Sequence, residues 1–321
     1  MDCPPDKIIN PATGKCVSRT SAIGKKLVGS PKTSKKKSVN KKIPSSFVSG
    51  RPVAYRAALS YLESKHKECF IIPSNNIPTE SVEAREDYAK NFLIWEDYPT
   101  DDVIERDLKD GLTIYGNRLV NVQRKKNKRK LKLLLPDMGA LYVYNNIKQK
   151  ITHCLKNNTR FIIIPLNIHR VKLSTGHANM IIYDKTNNTA ERYEPNGPQT
   201  DISNLEHEGK IIDSCIIEFL IDFGLIKSPS DYFAPIDMCP NWTDWKKGRL
   251  GHQRKQVSEE KGFKGSCATW TTWYTDYRLS HPELDRNEAL KRSFDHLHKN
   301  SSSFTKFIKD YFAQIYEYSQ K

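Results

Sequence analysis

Gly176-His177-Ala178-Asn179-Met180-Ile181-Ile182-Tyr183-Asp184-Lys185-Thr186-Asn187-Asn188-Thr189-Ala190-Glu191-Arg192-Tyr193-Glu194-Pro195-Asn196-Gly197 reads as a hairpin. His177 to Asp184 is mostly apolar, with two isoleucines and a tyrosine. Ala190 to Pro195 holds a tyrosine and runs out in a carboxylate, Pro and Gly. The polar, Asn-rich Lys185 to Thr189 suits the turn between them. Folding about Asn187 brings His177 roughly opposite Glu194, and opposed residues on paired strands lie about 5 Å apart at Cβ. An imidazole beside a carboxylate on a rigid ribbon makes an oriented general base whose protonated form is stabilised.

The ribbon lacks a nucleophile. Gly265-Ser266-Cys267-Ala268-Thr269-Trp270 supplies one. A Gly-Ser turn feeds an amphipathic, apolar helix over Cys267 to Leu279, with Trp270, Trp273, Tyr274 and Tyr277 at helical spacing. Cys267 then stands in the first turn, where free backbone N–H groups and the helix dipole favour a thiolate. Its amide is also placed to hold an oxyanion. Taken singly, His177 reads as a structural histidine and Cys267 as a small buried hydrophobe; it is the set of three that points to acyl transfer, most simply peptide or isopeptide hydrolysis. Asp184 is a rival acid at the turn end of the first strand, and Asn196 a weaker rival. Cys154, Cys215 and Cys239 read as core or loop thiols.

Around this centre, Tyr142 to Leu155 reads as a helix leading into a buried strand, Arg160 to Leu166. Asp201 to Phe223 is a helix with Ile211, Ile212, Cys215, Ile216, Phe219 and Leu220 on one side. Tyr232 to Trp245 reads as a loop, whose Trp242 and Trp245 are placed to line a cleft. Pro282 to His298 and Ser303 to Tyr318 are helical, with Ser303 as a cap. Upstream, Pro52 to Lys67, Ser81 to Trp95 and Asp102 to Leu108 have helical patterns, so residues 51–140 are expected to form a helical N-terminal extension. Asn121 to Lys132 is basic.

The whole chain has 321 residues and a net charge of +15, distributed unevenly. Residues 1–50 hold 11 Lys/Arg against 2 Asp/Glu, a balance of +9, and leave +6 for the rest. Residues 19–50 are Ser-, Lys- and Gly-rich and read as a disordered linker. Such an arm suits a nucleic acid or another polyanion, or simply a solvated tail. No apolar run approaches the roughly 20 residues that span a bilayer. Seven cysteines, an odd number without CxxC pairs, argue against a disulfide scaffold and for a reducing compartment. No Gly-rich phosphate loop and no set of four metal ligands is evident, so neither a metal nor an organic cofactor is expected.

Two resemblances add to this reading. Cys3-Pro4-Pro5, Lys7, Asn10-Pro11, Thr13-Gly14 and Cys16-Val17 resemble the two-cysteine adaptor domain of large DNA viruses, over residues 1–18. It implies an interaction module of a viral protein. The order His–acid–Cys, the spacing of 17 between His177 and Glu194, and Tyr193-Glu194-Pro195-Asn196-Gly197 resemble the Ulp1/adenain-like cysteine peptidases of large nucleocytoplasmic DNA viruses, over about residues 155–295. This implies an α+β, papain-like peptidase domain over residues 141–321, with a Cys267–His177–Glu194 triad and Gln253 as the oxyanion donor. It implies processing of virion precursor proteins, in the virion or the host cytoplasm. A deubiquitinase- or deSUMOylase-like isopeptidase and a non-enzymatic virion adaptor are the alternatives. Two features depart from the family pattern. Ala178 stands where a Trp usually follows the His. Glu260 and Lys261 occupy the usual oxyanion Gln positions, which is why Gln253, after Gly251-His252, takes that role.

Overall fold

A computed structural model describes residues 4, 6–9, 13, 15–18, 21, 52–72, 93–96, 112–116, 139–170, 175–197, 205–237, 251–252, 266–301 and 303–321. Residues 1–42 and 43–321 form separate units. In the first, β1 (Lys7–Ile9) pairs antiparallel with β2 (Cys16–Ser18), and Cys16 is disulfide-bonded. Most of the expected linker lies outside the described residues.

The second unit is built on the long strand β7 (Phe161–Arg170). β8 (Thr175–Asp184) pairs antiparallel along its whole length, from Phe161 opposite Asp184 to Arg170 opposite Thr175. On the other edge two short strands share β7: β3 (Cys69–Phe70) lies parallel at Ile162–Ile163, and β4 (Leu93–Glu96) parallel at Leu166–His169. Pro165 falls in the gap between them, where a missing N–H is tolerated. β5 (Thr113–Tyr115) and β6 (Ala140–Val143) extend the sheet beyond β4; β9 (Thr189–Tyr193) and β10 (Tyr232–Phe233) extend it beyond β8. Among the described residues the sheet has eight strands, mixed parallel and antiparallel.

Strand alternation sends neighbouring side chains to opposite faces, and both faces of this sheet are covered. Phe161 and Ile163 of β7, with Met180, Ile182 and Tyr193, join a core with helices α1 (Pro52–His66), α4 (Cys267–Ser280), α5 (Arg286–Asn300) and α6 (Phe304–Ser319). Ile162, Ile164, Leu166 and Ile181 pack with α2 (Asn145–Lys156) and α3 (Leu205–Asp222). That is why the run Phe161-Ile162-Ile163-Ile164 carries no polar alternation. Each isoleucine so buried contributes roughly 1.5–3 kcal/mol.

Several expectations are corrected. The described residues of 51–140 hold one helix, α1, and otherwise give strands β3, β4 and β5 and the first residue of β6 to the sheet, where only helices were expected. Leu93–Trp95, expected at the end of a helix, are strand β4, because Leu93 and Ile94 are buried in a strand paired on both sides, with β7 and β6. The remainder of that expected helix, the helix expected over Asp102–Leu108 and the basic segment Asn121–Lys132 lie outside the described residues. Tyr142–Val143 belong to β6, and the helix starts only at Asn145. Tyr232–Phe233 pair with β9 where a loop was expected. Helix α4 is buried all round from Cys267 to Leu279, so it is a central helix and not an amphipathic surface one. The hydroxyls of its Thr272 and Thr275 bond back to Ala268 O and Thr271 O, each at 2.8 Å. Cys154, expected as a thiol, is bonded to Cys69. This pair, with Cys16, contradicts the reading that the cysteines stay reduced. Cys215 is a free buried thiol; Cys239, Trp242 and Trp245 lie outside the described residues.

Candidate active site

His177, Glu194 and Cys267 come together at the end of the β8–β9 ribbon. The register pairs Met180 with Tyr193 and Asp184 with Thr189, which sets Glu194 just past the ladder, level with Asn179 and diagonal to His177. Its carboxylate reaches back so that Oε1 lies 2.5 Å from His177 Nε2. The Cys267 side chain also hydrogen-bonds His177.

Cys267 opens α4, and that helix is seated on β8 just beside the histidine. Thr271 Oγ1 donates to Ala178 O at 3.1 Å, and the Ala178 backbone also bonds the Cys267 sulfur. A small residue after the histidine thus lies under the first turn of the helix. Burial alone would raise the Cys267 pKa. The His177 hydrogen bond and charge, with the backbone groups of Ala178 and Ala268, bring it below the ordinary thiol value. Burial would likewise lower the His177 pKa, but the Glu194 charge and the bonds to Cys267 and Glu194 carry it up to about 10. Glu194, which burial would raise, is held below the usual carboxylate range by His177, Arg192 and the Asn196 N–H. The arrangement therefore favours thiolate beside imidazolium.

A set of side chains not singled out in the sequence holds Glu194 in place. Asn179 Nδ2 donates to Glu194 Oε2 at 3.0 Å, and Asn196 N donates to Oε1 at 2.8 Å. Arg192 Nη1 donates to Asn179 Oδ1 at 2.6 Å and stands 3.9 Å from Glu194 Oε2. Its Nε and Nη2 grip Asp213 of α3 at 2.7 and 3.1 Å, and Tyr232 of β10 donates to Asp213 at 2.6 Å. The legible signal was period two: Asn179 shares a face with His177, and Arg192 with Glu194. Asn196, the weaker rival, is close by, with Nδ2 3.3 Å from His177 Nε2.

On the other side the ribbon is strapped by Gly251–His252. Gly251 N donates to Asn196 O at 3.0 Å, and a Cβ on Gly251 would meet Gly197 N and Pro195 O at 2.3 Å. His252, fully buried, hydrogen-bonds the Tyr193 hydroxyl at 2.7 Å and Ser293 Oγ at 3.0 Å, and its ring stacks on Phe294. Burial pushes its pKa down to about 3. Gln253 itself lies outside the described residues.

Asp184, the rival acid, is engaged elsewhere. Arg160 donates to it at 3.1 and 2.7 Å, and it caps its own turn through Thr186 N. Asp184→Asn should therefore lower the melting temperature while leaving the pH profile of Cys267 alkylation unchanged; a shifted profile would reinstate Asp184 as the partner of His177. Among the described residues no group of three or more His, Cys, Asp or Glu could hold a metal ion, and no helix is long and apolar enough to cross a membrane.

No protein-family model matches the chain. Over 193 residues, 54% of its length, it is 28% identical to the putative ankyrin repeat protein L371 of Acanthamoeba polyphaga mimivirus, and it spans only 22% of that protein. Among solved structures it is similar to the Chlamydia abortus effector protein ChlaDUB. That similarity has a TM-score of 0.32 and 14% identity, over 82% of this chain and 99% of that one.

Proposed function

We propose that the chain is a thiol hydrolase of peptide or isopeptide bonds. One observation carries the reading: a buried cysteine in the first turn of α4 hydrogen-bonds His177, whose Nε2 is 2.5 Å from the buried Glu194 carboxylate. Cys267 Sγ attacks the carbonyl carbon as thiolate. His177, protonated in the resting pair, gives its proton to the leaving amine and then takes one from the water that releases the acyl group. Glu194 keeps the ring oriented and stabilises its charge. The Cys267 amide, with Gln253 by the family resemblance, receives the oxyanion; one such donor is worth about 3 kcal/mol in the transition state. The proposed substrates are virion precursor proteins, acted on in the virion or host cytoplasm. That setting is supported by the resemblance of the His177–Gly197 stretch and by the mimivirus origin of the 28% identical relative.

The test is labelling of the full chain by substrate-derived electrophiles, peptide and ubiquitin- or SUMO-based in parallel, and turnover of the matching reporters against pH. Activity should rise through a midpoint below the ordinary thiol pKa of about 8.5. It should fall again as His177 loses its proton near 10. Label should sit on Cys267 and vanish in Cys267→Ala. Turnover surviving in Cys267→Ala would overturn the reading, and labelling by a ubiquitin-based probe alone would move the substrate from virion precursors to ubiquitin-like conjugates.

A further inference from the structure

A second cysteine site lies away from the first. Cys69, at the start of β3, and Cys154, in the last turn of α2, are disulfide-bonded across 85 residues of sequence. Both line a cavity of about 600 Å³, together with Glu63, Lys67, Lys150 and Thr159. Asn157 also lines it, and its Nδ2 donates to Cys69 Sγ at 3.6 Å. Cys69 is the more exposed partner, at 9% against 2% for Cys154. Cations and carboxylates are both among the lining residues.

We propose that this cavity is a thiol-exchange site that takes a peptide-sized thiol bearing both carboxylate and ammonium groups. Access decides which sulfur of a disulfide is attacked, and here that is Cys69. The incoming thiolate attacks Cys69 Sγ, a new sulfur–sulfur bond forms there, and the Cys69–Cys154 bond breaks. Cys154 leaves as thiolate and takes a proton from water; as a thiol it suits its apolar surroundings. Its return attack on Cys69 expels the guest and restores the bond, so Cys154 is the resolving thiol. A second guest thiolate instead displaces the first as a symmetric disulfide and leaves the dithiol. No other oxidant or reductant enters either step. The charged groups that line the cavity match the guest: Lys67 faces its carboxylates and Glu63 its ammonium.

The test uses the oxidised full chain with glutathione as the probe, quenched with acid and mapped by mass spectrometry. 2-Mercaptoethanol at equal thiolate concentration serves as the uncharged comparison. One glutathionyl group should appear on Cys69, several-fold more than the mercaptoethanol adduct, and Lys67→Glu should remove that preference. Cys154→Ser, which has no resolving thiol, should trap the adduct on Cys69 when offered glutathione disulfide. An intact Cys69–Cys154 bond under these conditions, an adduct mapped to Cys154, Cys215 or Cys267, or equal reaction with both thiols would each overturn the proposal.

Discussion

Replacing His177 with alanine is expected to cost hydrolysis a factor of about 10⁴ or more, the scale seen when one member of a cooperating nucleophile–base set is removed. The informative reading is the cysteine itself. In the parent chain, the His177 hydrogen bond and charge hold the Cys267 pKa below the ordinary thiol value against the opposing effect of burial. Without the imidazole, burial is opposed only by the smaller effect of the Ala178 and Ala268 backbone bonds, so the midpoint of Cys267 alkylation should climb to or past about 8.5. The midpoint is a better measure than the rate at one pH, because a less acidic thiol gives a more nucleophilic thiolate and the two effects offset each other. Cys215, already buried and pushed up to about 12, is the internal control and should not move. A Cys267 midpoint unchanged in His177→Ala would remove the ion pair, and with it the proposed chemistry.

The second large effect concerns His252 and acid. Its folded pKa of about 3 lies below the unfolded value of about 6.5. Between those values the unfolded chain binds the extra proton, so stability rises with pH there. The contribution is fully present above about pH 6.5 and is lost as pH falls through the folded pKa. At pH 5 the loss is already about 2 kcal/mol relative to neutral pH. Denaturant midpoints measured from pH 7 to 4 should show that acid limb. His252→Phe should flatten it, keeping the stack on Phe294 while removing the titrating ring. The same variant loses the bonds to the Tyr193 hydroxyl and Ser293, so it should be less stable than the parent at pH 7. An acid limb identical in both chains would assign it to other groups, such as Asp276 with its three partners Lys65, His66 and Tyr311.

The hairpin was legible because its two strands and turn obey period two and turn chemistry within 22 consecutive residues. The helix behind Cys267 was legible from four aromatics at helical spacing, although its depth was not: buried threonines that bond their own backbone look like surface residues in a sequence. Strands β3 and β4 escaped because they are two and four residues long. Their partner, β7, is distant in sequence, so nothing local marks them. The acid partner was found by its distance from His177, whereas Asp213 and Tyr232 depend on how α3 and β10 lie against the sheet. The Cys69–Cys154 pair fell to the same difficulty: a parity count of cysteines says nothing about which two a sheet and a helix bring together.

Helix α1 has a consequence for how the molecule can be divided. Its Lys65 and His66 both reach Asp276, at 2.7 and 2.6 Å, and its Leu59 and Leu62 are wholly buried beside α4. Cutting the chain at residue 141, where the family resemblance begins the catalytic domain, would strip one wall from the helix that presents Cys267 and leave an aspartate inside without its cations. Helix α1 is therefore inherited with Cys267 or not at all, although 211 residues of sequence separate Lys65 from Asp276.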